Sequence, residues 1–252
     1  MHFKNIIVGS GPASVSAASE LLINNKKVLI LDVGNEIEDE KAEIAREYIE
    51  NPDIAKFKNK VELAKKKIKK YPDPNLKFPY GSDFVFRVLK DENIEHSSKV
   101  NTLSSHAKGG LSNIWGTLSS PFYKKDIDHW GISYEEFYKQ KENVLNIIPI
   151  SSSNDNLDEF FDTKIGSNHT FDVSLTSNEI LKYLSKEQKK LNKDGFFYGR
   201  SKFAVSNKYS HKNTNCKECG LCHYGCPYDC MFNAKHLLNN LIFDYKENID
   251  YK

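Results

Sequence analysis

Phe3-Lys-Asn-Ile-Ile-Val-Gly9-Ser-Gly11-Pro-Ala-Ser14, followed by a helix of small residues and then by Val28-Leu-Ile-Leu-Asp32-Val-Gly34, decides the fold of this chain. The order is strand, glycine turn, helix, second strand, acid. Gly9 lets the backbone turn sharply off the first strand, and Gly11 lets it approach a pyrophosphate closely. The helix that follows presents unpaired N–H groups and the positive end of its dipole to phosphate. Asp32 lies 23 residues after Gly9, where a carboxylate meets the hydroxyls of an adenosine ribose. Ser14 stands in place of the third glycine of this pattern and is small enough for close helix–strand packing. The segment predicts a dinucleotide site; a βαβ unit without a phosphate is the structural alternative.

The remainder of the chain sets bounds on what that site serves. Its 252 residues suffice for one large domain or two small ones. Lysine and arginine number 36 against 34 acids, a net charge of +2, and Arg46, Arg87 and Arg200 are the only arginines. No basic stripe interleaved with aromatics is present, which argues against a nucleic-acid surface. The N-terminus runs straight into the first strand without a secretory leader pattern, and no uncharged apolar run is long enough for a bilayer. A cytoplasmic location is the expectation. On that reading Asn168-His-Thr170 is a chance match to a glycosylation signal.

The first βαβ start covers residues 1–35. In its helix, Ala13, Ala17 and Leu21 with Val15, Ala18 and Leu22 recur at helical spacing and are expected to face the sheet. A helical insertion and loop occupy 36–100. Ile44 and Tyr48 form one apolar stripe, Val61, Ala64 and Ile68 another, so two amphipathic helices broken near Asn51-Pro52 are predicted. Their charged faces are read as solvated surface. Tyr71-Pro-Asp-Pro74 and Phe78-Pro79 lead into a loop.

Residues 101–150 hold His106-Ala-Lys-Gly109-Gly110-Leu-Ser112-Asn113-Ile-Trp115-Gly116 and then a helix over about 134–145. The paired glycines give a backbone able to lie flat against a ligand, or else an ordinary turn. Ser133 is the predicted N-cap of the helix and Glu136 its capping-box partner. Residues 151–170 read as an exposed connection, with a helix at 178–191 and a strand near 202–205 beyond it. Residues 231–252 return to the first domain and end by entering one of its strands.

All five cysteines fall in Cys216-Lys-Glu-Cys219-Gly-Leu-Cys222-His-Tyr-Gly-Cys226-Pro227-Tyr-Asp-Cys230. Cys216, Cys219, Cys222 and Cys226 match the C-x2-C-x2-C-x3-C-P run of bacterial iron–sulfur proteins. In two-cluster ferredoxins the fourth cysteine of such a run serves the other cluster, and this chain has no second run. A single 4Fe-4S cluster would therefore close through Cys226, through Cys230 or through an outside ligand. Zinc in a four-thiolate site ranks behind it. A tight cysteine-rich loop that packs without metal is the structural alternative.

Together Gly9-Ser-Gly-Pro-Ala13, Leu31-Asp-Val-Gly34, Gly109-Gly-Leu-Ser-Asn-Ile-Trp-Gly116 and Trp130-Gly-Ile-Ser-Tyr134 resemble the glucose–methanol–choline oxidoreductase family of flavoproteins. Gly199-Arg-Ser201 followed by Cys219-Gly-Leu-Cys-His-Tyr-Gly-Cys-Pro227 is similar to a bacterial branch carrying a cysteine-rich insert. The resemblance covers the N-terminal half of a family member. It implies an α/β fold: an incomplete FAD-binding Rossmann-like domain with an interleaved helical insertion and the beginning of a substrate domain at 151–230. By the same resemblance Gly9, Gly11, Pro12 and Ala13 hold the FAD pyrophosphate. Asp32, where the family more often has Glu, holds the ribose, and Gly109, Gly110, Ser112 and Asn113 lie along pyrophosphate and flavin. The implied chemistry moves hydride from an alcohol or sugar-like substrate to flavin N5 while a base takes the hydroxyl proton. In the family that base is a His from the C-terminal half, so the expected partners are such a half and an electron acceptor. His106, His129 and His223 occupy no catalytic position of the family, and each reads as structural or surface. The chain alone is expected to be catalytically incomplete.

Overall fold

The computed structural model describes residues 2–68, 76–87, 103–148, 150–161, 170–205 and 216–252. The expected loop at Tyr71–Pro74 and most of Asn168–Thr170 lie outside them. In chain order the regular elements are β1 (Asn5–Val8), α1 (Pro12–Ile23), β2 (Val28–Leu31), α2 (Asp39–Glu50), α3 (Ile54–Lys65), α4 (Lys124–Ile127), α5 (Tyr134–Lys139), α6 (Lys141–Ile147), α7 (Leu157–Phe161), α8 (Leu175–Lys186), α9 (Gln188–Lys193), α10 (Ala234–Asp244) and β3 (Ile249–Tyr251). The chain is mixed α/β. None of these helices is long and apolar enough to cross a membrane.

Two compact units emerge: Met1–Gly116 with Asn207–Lys252, and Thr117–Ser206. This division differs from the expected partition. The cysteine-rich segment groups with the sheet-bearing unit rather than with residues 151–205. The physical reason is a shared core, described below.

In the first unit, β1, β2 and β3 form a parallel sheet in the order β1-β2-β3, with Ile7 beside Ile30 and Ile30 beside Tyr251. Parallel neighbours need crossovers, and α1 and α10 supply them while packing on each other. Val28, Ile30 and Ile249 are buried on the helix side, against Val15, Ala18 and Leu22 of α1 and Leu237, Leu238 and Leu241 of α10. Ala13 and Ala17 are exposed, so only one of the two expected stripes of α1 faces the sheet. The pleat puts Ile6, Val8 and Leu31 on the opposite face, where Ile6 is 57% and Val8 80% exposed. Among the described residues no helix covers that face, and β1 pairs only with β2.

The insertion folds as two helices with the chain broken over Asn51–Asp53, as the sequence predicts. Asp53 caps α3 by accepting from the Lys56 N–H at 2.9 Å. Ile44, Tyr48, Phe57 and Val61 are buried together with Leu221, the residue before Cys222, with Tyr80, Cys219, Tyr224 and Tyr228 packed around them. The apolar stripes of α2 and α3 thus exist to hold the cysteine-rich loop. Glu38, which precedes α2, accepts from the Ser82 hydroxyl at 2.6 Å and from Arg87 and Lys41. Burial alone would raise its carboxyl, but the Ser82 hydroxyl, its own backbone amide, Arg87 and Lys41 outweigh that and hold it down to about 2. A carboxylate depressed in the folded state stabilises fully above its unfolded value near 4.5 and loses that contribution as pH falls toward 2. Glu38→Gln should therefore lower the melting temperature at pH 7 and converge on wild type by about pH 2. A difference that stays constant across acid titration would contradict this linkage.

The second unit is mostly short helices. Ser133 caps α5 by accepting from the Glu136 N–H at 3.0 Å, as its sequence predicts. The helix expected over 134–145 breaks at Gln140 into α5 and α6, and that expected at 178–191 is α8 followed by α9. The strand expected near 202–205 is reduced to bridges of Phe203 with Leu118 and Ser151. Lys202 and Asp158, both almost fully buried, pair at 3.2 Å, and Lys202 also donates to the Ser153 carbonyl at 3.0 Å. Asp155 accepts from the Arg200 N–H at 2.8 Å and packs against Gly199, where a side chain would collide with its carboxylate.

Candidate functional site

β1 ends in Gly9, whose N–H still donates to the Leu31 carbonyl at 2.7 Å before the chain swings into a left-handed conformation at φ +87°. That conformation suits glycine and strains other residues. Gly11 is the N-cap of α1 with Pro12 at its first position, and no side chain caps the helix. A Cβ on Gly11 would meet nothing within 4 Å, so the space above the turn is open. The first turn of α1 therefore faces that opening with its N–H groups uncapped, which is the geometry an anionic diphosphate needs. Pro12 and Ala13 are exposed there.

The second glycine segment closes on the first. A Cβ on Gly110 would lie 3.3 Å from the Gly11 Cα, and the Gly109 N–H donates to the buried Ser10 Oγ at 2.8 Å. Residues 99 apart in sequence thus form one cradle. Asp32, just past β2, accepts from Ser10 Oγ and from Tyr251 Oη, the latter at 3.2 Å. The expected pyrophosphate turn, ribose acid and Gly-Gly loop are brought together.

Ser112 and Asn113, expected along the ligand, also have a part in the loop itself. Ser112 Oγ donates to the Gly109 carbonyl at 2.5 Å and accepts from the Ala234 N–H at 3.0 Å, capping α10. Asn113 donates to the Lys108 and Gly110 carbonyls and accepts from Asn233 Nδ2 at 2.8 Å. Both side chains hold the loop in place. Trp115 Nε1 adds a bond to the Phe232 carbonyl at 2.8 Å. The Gly-Gly loop is thereby keyed to the chain immediately after the cysteines.

The cysteine loop turns through left-handed backbone at Glu218, Gly220, Gly225 and Asp229. The Glu218 N–H is directed at Cys216 Sγ at 3.5 Å, and the Cys230 N–H at Cys226 Sγ at 3.4 Å. Tyr80 wedges beneath it, donating to the Cys226 carbonyl at 2.6 Å, with its ring where a side chain on Gly225 would stand. Cys216, Cys219, Cys222 and Cys226 lie close enough to act on one another electrostatically. Burial, with these neighbours, pushes the Cys216 and Cys222 thiols up. A hydrogen bond from the Cys230 thiol, helped by the Cys230 and Tyr228 amides, lowers Cys226. Among the described residues no three His, Cys, Asp or Glu side chains converge as closely as ligands of a single ion. Four sulfurs on one zinc at about 2.3 Å must crowd together, whereas a cubane spreads its thiolates over its corners.

Lys77 is one cation of this neighbourhood, with Arg46 and Lys235. Burial holds its ammonium below the usual lysine range while Cys222 and Cys226 oppose that effect, and its Nζ lies 3.6 Å from Met231 Sδ. Lys77, Cys226, Asn113, Asn233, Lys235 and a His236–Asp229 pair at 2.9 Å line a cavity of about 340 Å³. It is separate from the glycine cradle: Gly9, Gly11 and Asp32 are absent from its walls. His223 and His129 are exposed. Ser10, Tyr251, Asn233 and Lys77 escaped sequence reasoning. Only Asn233 carried a local signal, as an N-cap type before a helical run.

No family model matches the chain, and no curated protein matches it.

Proposed function

We propose that this chain is the FAD-holding part of an oxidoreductase acting on CH–OH groups, of the glucose–methanol–choline type that its motifs resemble. The observation that carries the reading is the single cradle formed by Gly9, Gly11, the uncapped start of α1, Gly110 and Asp32. In it the Ala13 and Ser14 amides would face the diphosphate and Asp32 the adenosine ribose. FAD, when bound, supplies acceptance of hydride from an alcohol or sugar-like carbon. The chain's own residues bind and orient; the proton-accepting base is assigned to none of them.

Equilibrium titration of the purified chain with FAD, ADP and FMN tests this. FAD and ADP should bind and FMN, which lacks the adenosine half, should not. Failure of both FAD and ADP to bind would overturn the reading.

A second reading rests on the cysteine loop: an electron-transfer module built on an iron–sulfur cluster. Amides directed at sulfur and a half-buried lysine beside Cys222 and Cys226 favour it. Cys216, Cys219, Cys222 and Cys226 would be the ligands, with Lys77 offsetting thiolate charge. Protein purified without oxygen should carry iron and acid-labile sulfide, and Cys219→Ser should lose both while keeping wild-type affinity for ADP. Zinc in place of iron, or neither metal, would exclude the cluster.

A further inference from the structure

Asp32 does not wait alone for a ribose. Both of its hydrogen bonds fall on Oδ2, one from Ser10 Oγ and one from Tyr251 Oη. Among the described residues Oδ1 accepts none. The two donors come from opposite ends of the chain, Tyr251 from β3 and Ser10 from the glycine turn. The Tyr251 hydroxyl reaches Asp32 only because residue 34 is glycine: a Cβ there would stand 2.9 Å from Tyr251 Oη. Burial, with Asp32 beside it, pushes the Tyr251 phenol up, so it stays a donor across the working pH range. The ring is covered by Lys108, whose Nζ lies 5.1 Å from its centroid and pairs with Glu36 at 3.5 Å. Asp32, Glu36 and Lys108 together place two carboxylates and one cation around this position.

We propose that Tyr251 is a positioning residue which, with Ser10, clamps the Asp32 carboxylate by one oxygen and leaves Oδ1 as the acceptor for an adenosine ribose with a free 2′-hydroxyl. This rests on the dinucleotide reading above and narrows its ligand class. A carboxylate held in one orientation meets vicinal hydroxyls without first being ordered, so affinity rises through preorganisation. A 2′-phosphate placed there would meet a site of net negative charge, Asp32 and Glu36 against the single cation Lys108.

The test uses the full 252-residue chain, wild type and Tyr251→Phe. Each is titrated with ADP-ribose, with its 2′-phosphorylated form and with inorganic pyrophosphate, and each is melted. Wild type should prefer ADP-ribose to the 2′-phosphorylated form by about tenfold or more. Tyr251→Phe should weaken ADP-ribose by about tenfold, the scale of one hydrogen bond to a charged group. Pyrophosphate, which senses only the glycine turn, should bind both proteins equally, and the variant should still melt in one cooperative transition. Unchanged ADP-ribose affinity in the variant, a parallel loss of pyrophosphate binding, or equal binding of the 2′-phosphorylated form would each overturn the inference. Failure of wild type to bind either ADP-ribose or FAD would instead remove the dinucleotide reading beneath it.

Discussion

Gly109→Ala should cost the first unit about 2–4 kcal/mol and abolish FAD binding at concentrations that saturate wild type. Gly109 sits at φ +88°, where an L-residue pays about 1–2 kcal/mol. Its added Cβ would stand 2.6 Å from Asn233 Oδ1 and 2.9 Å from the Lys235 N–H, inside the bond by which Asn233 caps α10. Lys235 N is backbone and Asn233 Oδ1 is pinned by the Lys235 N–H and Ser112 Oγ, so overpacking adds about 1–3 kcal/mol. Gly131→Ala is the control. Its φ is +72°, but nothing lies within 4 Å of its Cβ, so only the conformational cost remains. Urea unfolding of the two variants separates strain from collision; equal losses would show that the Asn233 contact carries nothing.

Lys202→Met should destabilise the second unit by about 3–5 kcal/mol, because it strands the Asp158 carboxylate in a buried site. Adding Asp158→Leu should recover most of that loss, since a buried pair replaced on both sides by apolar groups is close to neutral. Unfolding curves for wild type, both single variants and the double variant close the cycle. A loss below about 1 kcal/mol in Lys202→Met would mean the pair behaves as a solvated surface bridge.

What could be read from residue order was local. The strand–glycine–helix–strand–acid run is contiguous, so Gly9, Gly11 and Asp32 were legible together, and Asn51-Pro52 marked the break between α2 and α3. The contacts that finish the site are not local. Tyr251 reaches Asp32 across 219 positions and Ser112 reaches Asn233 across 121. No spacing rule links such pairs. The apolar stripes of α2 and α3 were visible, but their partner, Leu221 within the cysteine loop, was not, because a stripe states that something is buried without naming what covers it. The same limit assigned the cysteines to the wrong side of a unit boundary. Ser112 and Asn113 were expected to lie along the ligand by resemblance. Their side chains also hold the Gly-Gly loop to α10, a structural use that no local pattern announces.

The FAD binding proposed for this chain depends on a diphosphate seated on the uncapped first turn of α1. Amide hydrogen exchange with and without FAD addresses it at the atoms concerned. Added FAD should slow exchange at Ala13 and Ser14 and at Gly109 and Gly110, with little change in α8 of the other unit. FAD that binds while leaving the Ala13 and Ser14 amides unprotected, or protects only residues remote from the two glycine segments, would contradict it.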